Sequence, residues 1–338
     1  MGLYGAIDLH SNNSVLVVLD ERDQVLYEKR LPNDLGRVLE VLLPYREQLV
    51  GVVVESTFNW YWLVDGLMAV GYRVHLANTT AIQQYKGLKY TDDAHDARWL
   101  AKMLRLGILP EGYIYPKEAR AVRDLLRRRA QLVRQRTTNL LSMTNQFARL
   151  TGCGVSVRRL KQLSEAQIDE WVSDPNVASA LRANLAVIRV LDREIERLEG
   201  EILRQAKIAA QFSPLLSIPG VGEILALTIM LETGDVGRFA KVGQFSSYAR
   251  CVDSKRISNG KKKGEGNVKC GNPYLAWAFG EAAAFAVRFN PRIKRFFERK
   301  RSKASASLAY KAVAHKLARA AYHVMRERVP YEERRAFG

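Results

Sequence analysis

Between Leu3 and Leu31, short apolar runs alternate with turn formers. LYGAIDL and SVLVVL flank Ser-Asn-Asn, and Asp-Glu-Arg-Asp precedes VLYEKRL. Runs of Val, Leu, Ile and Tyr bounded in this way predict strands joined by hairpins. LGRVLEVLLPY then has helical spacing, LVGVVVEST reads as a short buried strand ending at Glu55, and a helix follows through Trp62 and Leu67. YRVHLAN is a further strand. TDDAHDARWLAKMLRLG is a helix with aspartates in its first turn, where the helix dipole favours them.

After Pro110 the pattern turns helical. Residues 118–150 set Val122, Leu125, Leu126, Leu132, Val133, Leu140 and Leu141 beside Arg127, Arg128, Arg129, Arg134 and Arg136. Leu181, Ile188, Ile195 and Ile202 recur every seven residues, with Val177, Asn184, Leu191 and Leu198 between them. That heptad predicts a coiled coil with one register-fixing Asn, or a long helical hairpin. Self-association and an intramolecular hairpin fit the spacing equally. The order of elements predicts an α/β domain at 1–110, a helical dimerisation and nucleic-acid-binding arm at 111–210, and a mostly helical domain at 211–338.

Charge sharpens this division. Residues 1–110 carry 11 Lys+Arg against 13 Asp+Glu, whereas the rest carry 42 against 22, a net of +20. Such a field suits a polyanion, most simply nucleic acid, although an acidic protein also fits. No apolar run approaches the roughly 18 residues of a spanning helix. The start lacks the layout of a signal peptide, so a soluble cytoplasmic protein is expected. Cys153, Cys251 and Cys270 have no metal-ligand spacing and read as free thiols.

Two constellations carry chemistry. Asp8 lies in the first strand and Glu55 at the end of a later central one, while Asp93 and Asp96 share one face of the closing helix. Carboxylates crowd together only when hard cations such as Mg²⁺ neutralise them, and two such ions assist phosphoryl transfer. Each residue alone reads more simply as a strand end or a helix start; together they predict a metal site in an RNase H-like, RuvC-like order of elements. Asp92 is expected outside the ligand set. His10 and His95 are expected to be structural or hydrogen-bonding residues.

The second constellation is in the last third. LLSIPGVGEILALTIMLETGD has the hydrophobe-Pro-Gly-x-Gly form of a helix-hairpin-helix, in which Gly220 and Gly222 would let backbone N–H groups meet a phosphate. The alternative is an ordinary turn before a buried helix. RISNGKKKGEGN then places Ser258 beside Lys261, Lys262 and Lys263, with Arg250 and Arg256 upstream. Lysines and glycine N–H groups can cradle a phosphate for a nucleophilic serine.

Pro219-Gly220-Val221-Gly222, Ser247-Tyr248-Ala249, Ser258, the glycine-rich stretch Gly260 to Gly266, Gly271-Asn272 and Tyr274-Leu275 occur in the order seen in the insertion-sequence 110/1111 transposases. With the tetrad Asp8, Glu55, Asp93 and Asp96, the resemblance covers nearly the whole chain and points to the 1111-like subgroup. It departs from the family pattern at Asn259, which separates the serine from glycine, and at Arg250-Cys251; Ser254 is a competing nucleophile. The resemblance implies an RNA-guided DEDD/serine recombinase. Its expected partners are donor and target DNA, a guide non-coding RNA, and further copies of itself as a homodimer assembling to a tetramer with composite sites. Ser258 would form a covalent 5′-phosphoserine while the tetrad holds Mg²⁺. Gly220, Gly222, Arg127, Arg128, Arg134, Arg250, Arg256 and Lys261 to Lys263 would contact nucleic acid. Two rivals remain: a metal-dependent junction nuclease without a covalent intermediate, and a non-catalytic nucleic-acid-binding protein.

Overall fold

A computed structural model of the chain describes residues 2–82, 92–206, 212–252, 256–264 and 270–338, with the side chains of Ala206, Arg256 and Lys262 outside that set. The chain divides into two compact units, Met1–Lys117 and Glu118–Gly338.

The first unit is built on a five-stranded sheet. Strands β1 (Leu3–Leu9), β2 (Asn13–Leu19), β3 (Val25–Pro32), β4 (Leu49–Glu55) and β5 (Val74–Ala77) lie in the order β3-β2-β1-β4-β5. The first three pair antiparallel, whereas β4 and β5 add in parallel. Helices α1 (Leu35–Leu42) and α2 (Tyr61–Ala69) precede and follow β4. The apolar run after Leu42 continues as a 3₁₀ turn, Leu43–Gln48, where Pro44 has no N–H for an α-helical bond. A third helix, α3 (Asp93–Arg105), lies on β1 and β2.

Strand alternation sorts the side chains onto two faces. Ile7, Leu9, Leu16, Val18, Val52 and Val54 pack with Val38, Leu63 and Leu67 of α1 and α2. Ala6, Val15, Val17 and Val53 pack with Ala97, Leu100 and Met103 of α3. By the same parity, Asp8 and Glu55 belong to the α3 face.

In the second unit, α4 (Lys117–Thr151) and α7 (Pro175–Ala206) run antiparallel. Arg129 Nε meets Glu199 Oε1 at 2.7 Å and Arg136 Nη1 meets Asp192 Oδ1 at 2.6 Å, so seven residues forward on one helix is seven back on the other. Short helices α5 (Val157–Gln162) and α6 (Glu165–Trp171) close the far end, α6 starting from a Ser164/Gln167 capping box. Their Leu160 and Ile168 share a core with Met143, Phe147, Leu181 and Ile188. The heptad stripe is therefore covered within the chain, as the hairpin alternative has it. Leu185 takes a buried place in this core while Asn184, the polar seam residue, is only half-buried.

The remaining elements are α8 (Phe212–Leu216), α9 (Glu223–Thr233), α10 (Val242–Tyr248), strands β6 (Arg256–Ser258) and β7 (Lys261–Gly264), then α11 (Pro273–Phe289), α12 (Pro291–Arg301), α13 (Ala306–Glu327) and α14 (Glu333–Phe337). Phe245, Phe279, Ala282, Leu317 and Ala318 are fully buried at its centre. Gly220 (φ +82°) turns the chain so tightly against α11 that a Cβ there would lie 2.2 Å from Ala282 O. Among the described residues, no helix is long and apolar enough to cross a membrane.

Candidate active site and nucleic-acid contacts

The first-unit carboxylates converge because three elements aim them at one place. Asp8 is almost fully buried on central β1. Ile7 pairs with Val54 in the parallel ladder, which sets Glu55 beside Asp8. Asp93 and Asp96 descend from the first turn of α3 on the same side. Asp92 serves instead as the N-cap of α3, its carboxylate accepting the His95 N–H at 2.7 Å. That bond fixes where the helix starts and hence where its aspartates fall.

The electrostatics record this crowding. Burial, a hydrogen bond with Asp8 and the charges of Asp8, Asp96 and Asp93 push the Glu55 carboxyl up to about 9. Asp96 is raised too, by burial and then by Asp8. Asp93 is held low, chiefly by a hydrogen bond from Arg30 and also by His10. His10 Nε2 lies 3.3 Å from Asp8 Oδ2 and 3.2 Å from Asp93 Oδ2. Asp8, His10 and Asp93 form a group whose ligand atoms all lie within 4.8 Å of one another. The buried Asp96 Oδ1 has no hydrogen-bond partner. An acidic oxygen set of this kind, with one orphaned oxygen and one carboxyl forced to keep its proton, fits a hard divalent cation.

Arg30 carries no motif signal. It is found only through strand register: Asp8 pairs with Val15 and Val15 with Arg30, so the three form one row across the sheet.

In the second unit, Ser258 ends β6 and pairs with Lys261 of β7. Asn259 (φ +51°) and Gly260 (φ +69°) form the connection, and two successive positive-φ residues are what a type I′ hairpin turn requires. Asn259, the residue that separates serine from glycine, is thus the first turn residue. Ser258 stands exposed immediately before the turn, and antiparallel pairing puts the Lys261 side chain on the same face. Lys263 is also exposed. The side chains of Arg256 and Lys262, and all of Ser254, lie outside the described residues.

The other expected nucleic-acid contacts divide by environment. Gly222 is the N-cap of α9, has no side-chain cap bond, and has open space where a Cβ would stand. Near it, Arg134, Thr137, Ile224, Leu225 and Trp277 line a groove of about 640 Å³. Arg128 is exposed, and its Nη1 donates to Gln131 Oε1 one turn on at 2.9 Å. Arg250 donates to Cys270 O at 3.0 Å. Arg127 is turned inward: its guanidinium makes a two-point contact with the buried Glu232, at 2.6 and 2.8 Å, and lies 4.6 Å from the Tyr274 ring centroid. Gly220 faces α11 backbone.

A basic locus absent from the motif reading lies on α12 and α13. Arg299, Lys300 and Lys316 surround one ring, Phe296, at 5.6, 5.7 and 5.3 Å. Burial, followed by Arg319, Arg299 and Lys300, lowers the Lys316 pKa. Only the packing of α12 on α13 brings these cations together, although the run Glu-Arg-Lys-Arg is visible in the chain.

Two family models match the chain. Residues 6–150 match the DEDD transposase model of IS110, and residues 213–298 match the model described as transposase IS116/IS110/IS902 family. The Sinorhizobium fredii protein named Putative transposase y4qE is 27% identical over 239 residues, covering 69% of this chain and 57% of that protein. The transposase for insertion sequence element IS1111A of Coxiella burnetii is 25% identical over 277 residues, covering 80% of this chain and 73% of that protein.

Proposed function

We propose that the chain, which matches transposase family models over residues 6–150 and 213–298, is an IS110-family recombinase of a 1111-like insertion sequence, cutting and rejoining DNA through Ser258. The observation that carries this reading is the serine itself, exposed beside a tight turn with Lys261 on the same face of the ribbon. Ser258 Oγ attacks a backbone phosphorus; the serine–phosphate bond forms as the bond to the 3′ oxygen breaks. The products are a 5′-phosphoserine and a free 3′-hydroxyl. Attack by the 3′-hydroxyl of the exchanged strand rejoins the backbone and returns the serine. Lys261 offsets charge on the non-bridging oxygens. Asp8, Glu55, Asp93 and Asp96 would hold Mg²⁺, which supplies charge neutralisation at the phosphate when bound.

The strand order, with an antiparallel triplet extended by two parallel strands, supports an RNase H-like (RuvC-like) reading of residues 1–110. Residues 111–210 act as the arm and 211–338 as the serine domain. Donor and target DNA, a guide RNA and a homodimer pairing into a tetramer complete the proposal. Composite assembly is supported by the division of the chemistry, with the carboxylates in one unit and the serine in the other. Denaturing gels of reactions with labelled DNA test it: Ser258→Ala abolishes the protein–DNA adduct and keeps nucleic-acid binding. Adduct formation by that variant removes Ser258 from the chemistry.

A second reading draws on the carboxylates, which converge within the first unit alone. A RuvC-like nuclease using water would need no serine. It predicts cleavage that survives Ser258→Ala and is lost in Asp8→Ala.

A further inference from the structure

The segment that carries Ser258 leaves the helical core at Tyr248 and returns at Asn272, and these two roots are bound to each other. The Asn272 N–H donates to Tyr248 O at 2.6 Å. Arg250 Nε reaches Cys270 O at 3.0 Å. Gly271 (φ +89°) fits between them, where a Cβ would lie 2.6 Å from Tyr248 O.

Asn272 is buried and every part of it is used. Its Oδ1 caps α11 by accepting from the Tyr274 and Leu275 N–H groups at 2.9 and 3.1 Å. Its Nδ2 donates to Glu232 Oε2 at 2.7 Å. Glu232 is 1% exposed on α9, and a carboxylate so placed is sustained by the Arg127 fork from α4. Arg127 also covers Tyr274, the residue that Asn272 caps.

We propose that Arg127, Glu232 and Asn272 form a positioning node that clamps the roots of the Ser258 ribbon and ties the presentation of the serine to the register of α4. The proposal rests on the serine reading above for its catalytic consequence, not for the clamp. None of the three residues touches the reacting atoms. They act by fixing Tyr248 O against Asn272 N–H, so a shift of α4 that withdraws Arg127 takes the guanidinium fork from Glu232 and loosens both roots.

The test uses the full chain and a charge-conserving swap. Asn272→Asp keeps an oxygen to cap α11 but places a second carboxylate against Glu232. Adding Glu232→Gln to it restores one donor, one acceptor and a single negative charge facing Arg127. Amide hydrogen exchange is read at residues 248–251 and 270–272, with thermal unfolding in parallel. Asn272→Asp is expected to speed exchange at these roots about tenfold, the scale of one lost buried hydrogen bond, and the swap to restore most of it. Arg127→Lys, which keeps the charge but not the fork, is expected to fall between. Unchanged root exchange in Asn272→Asp, or a swap that restores the unfolding temperature but not root exchange, overturns the clamp. Adduct yield on DNA is expected to follow root exchange across the series while binding stays constant. Absence of adduct from the unaltered protein counts against the serine reading, and exchange still decides the clamp.

Discussion

Two glycines of one short motif do different work, and substitution separates them. Gly220→Ala forces a Cβ into the α11 backbone at a positive φ, so a loss on the order of 3 kcal/mol is expected in denaturant unfolding. Gly222→Ala meets open space and should fold normally. Any drop in its nucleic-acid affinity, read by filter binding, then reports backbone approach at the start of α9. Asp23 gives the pH prediction. A hydrogen bond from Arg105, assisted by Lys102 and opposed by burial, holds its carboxyl below its ordinary value of 3.8. A carboxyl depressed in the folded state adds stability above its unfolded value and loses it as pH falls through the folded one. Asp23→Asn, which also tolerates the left-handed φ of +63° there, should flatten the acid limb of stability below about pH 4 in urea titrations.

Elements were legible where their periodicity was strong. Strand alternation around Asp8 and Glu55 already fixes which face each occupies, and helical spacing groups Asp93 with Asp96. The seam of α7 was legible as a stripe, but spacing does not say what covers it. Ion pairs from α4 show the cover to be the same chain, because long apolar faces on two helices joined by short elements bury each other first. Arg30 and the inward turn of Arg127 were not legible, since both depend on partners 63 and 105 residues away. Glycines and lysines mask the strand character of the serine segment, and its Asn-Gly pair is the hairpin signal. Ile188→Ala, at a 1% exposed seam position, should cost about 2–5 kcal/mol in chemical denaturation, with lost helicity by circular dichroism marking the arm.

At the scale of the whole molecule, charge governs encounter. The excess of basic residues lies beyond residue 110, and the locus around Phe296 concentrates part of it. If Arg299 and Lys300 each neutralise a phosphate, their double replacement by Ala should reduce the slope of log affinity against log salt by about 2 on duplex DNA. An unchanged slope places the contacts elsewhere. The serine ribbon carries a different consequence. An isolated two-stranded hairpin is marginal in water, and Ile257 is 64% exposed, outside the buried cores formed by the described residues. If Ser258 is the nucleophile proposed above, mounting it on such a ribbon would leave its final order to whatever nucleic acid or neighbouring copy closes over it. On that same proposal the ordering cost would work as a safety catch, keeping the serine of a lone chain too loosely held to cut until a complex assembles around it.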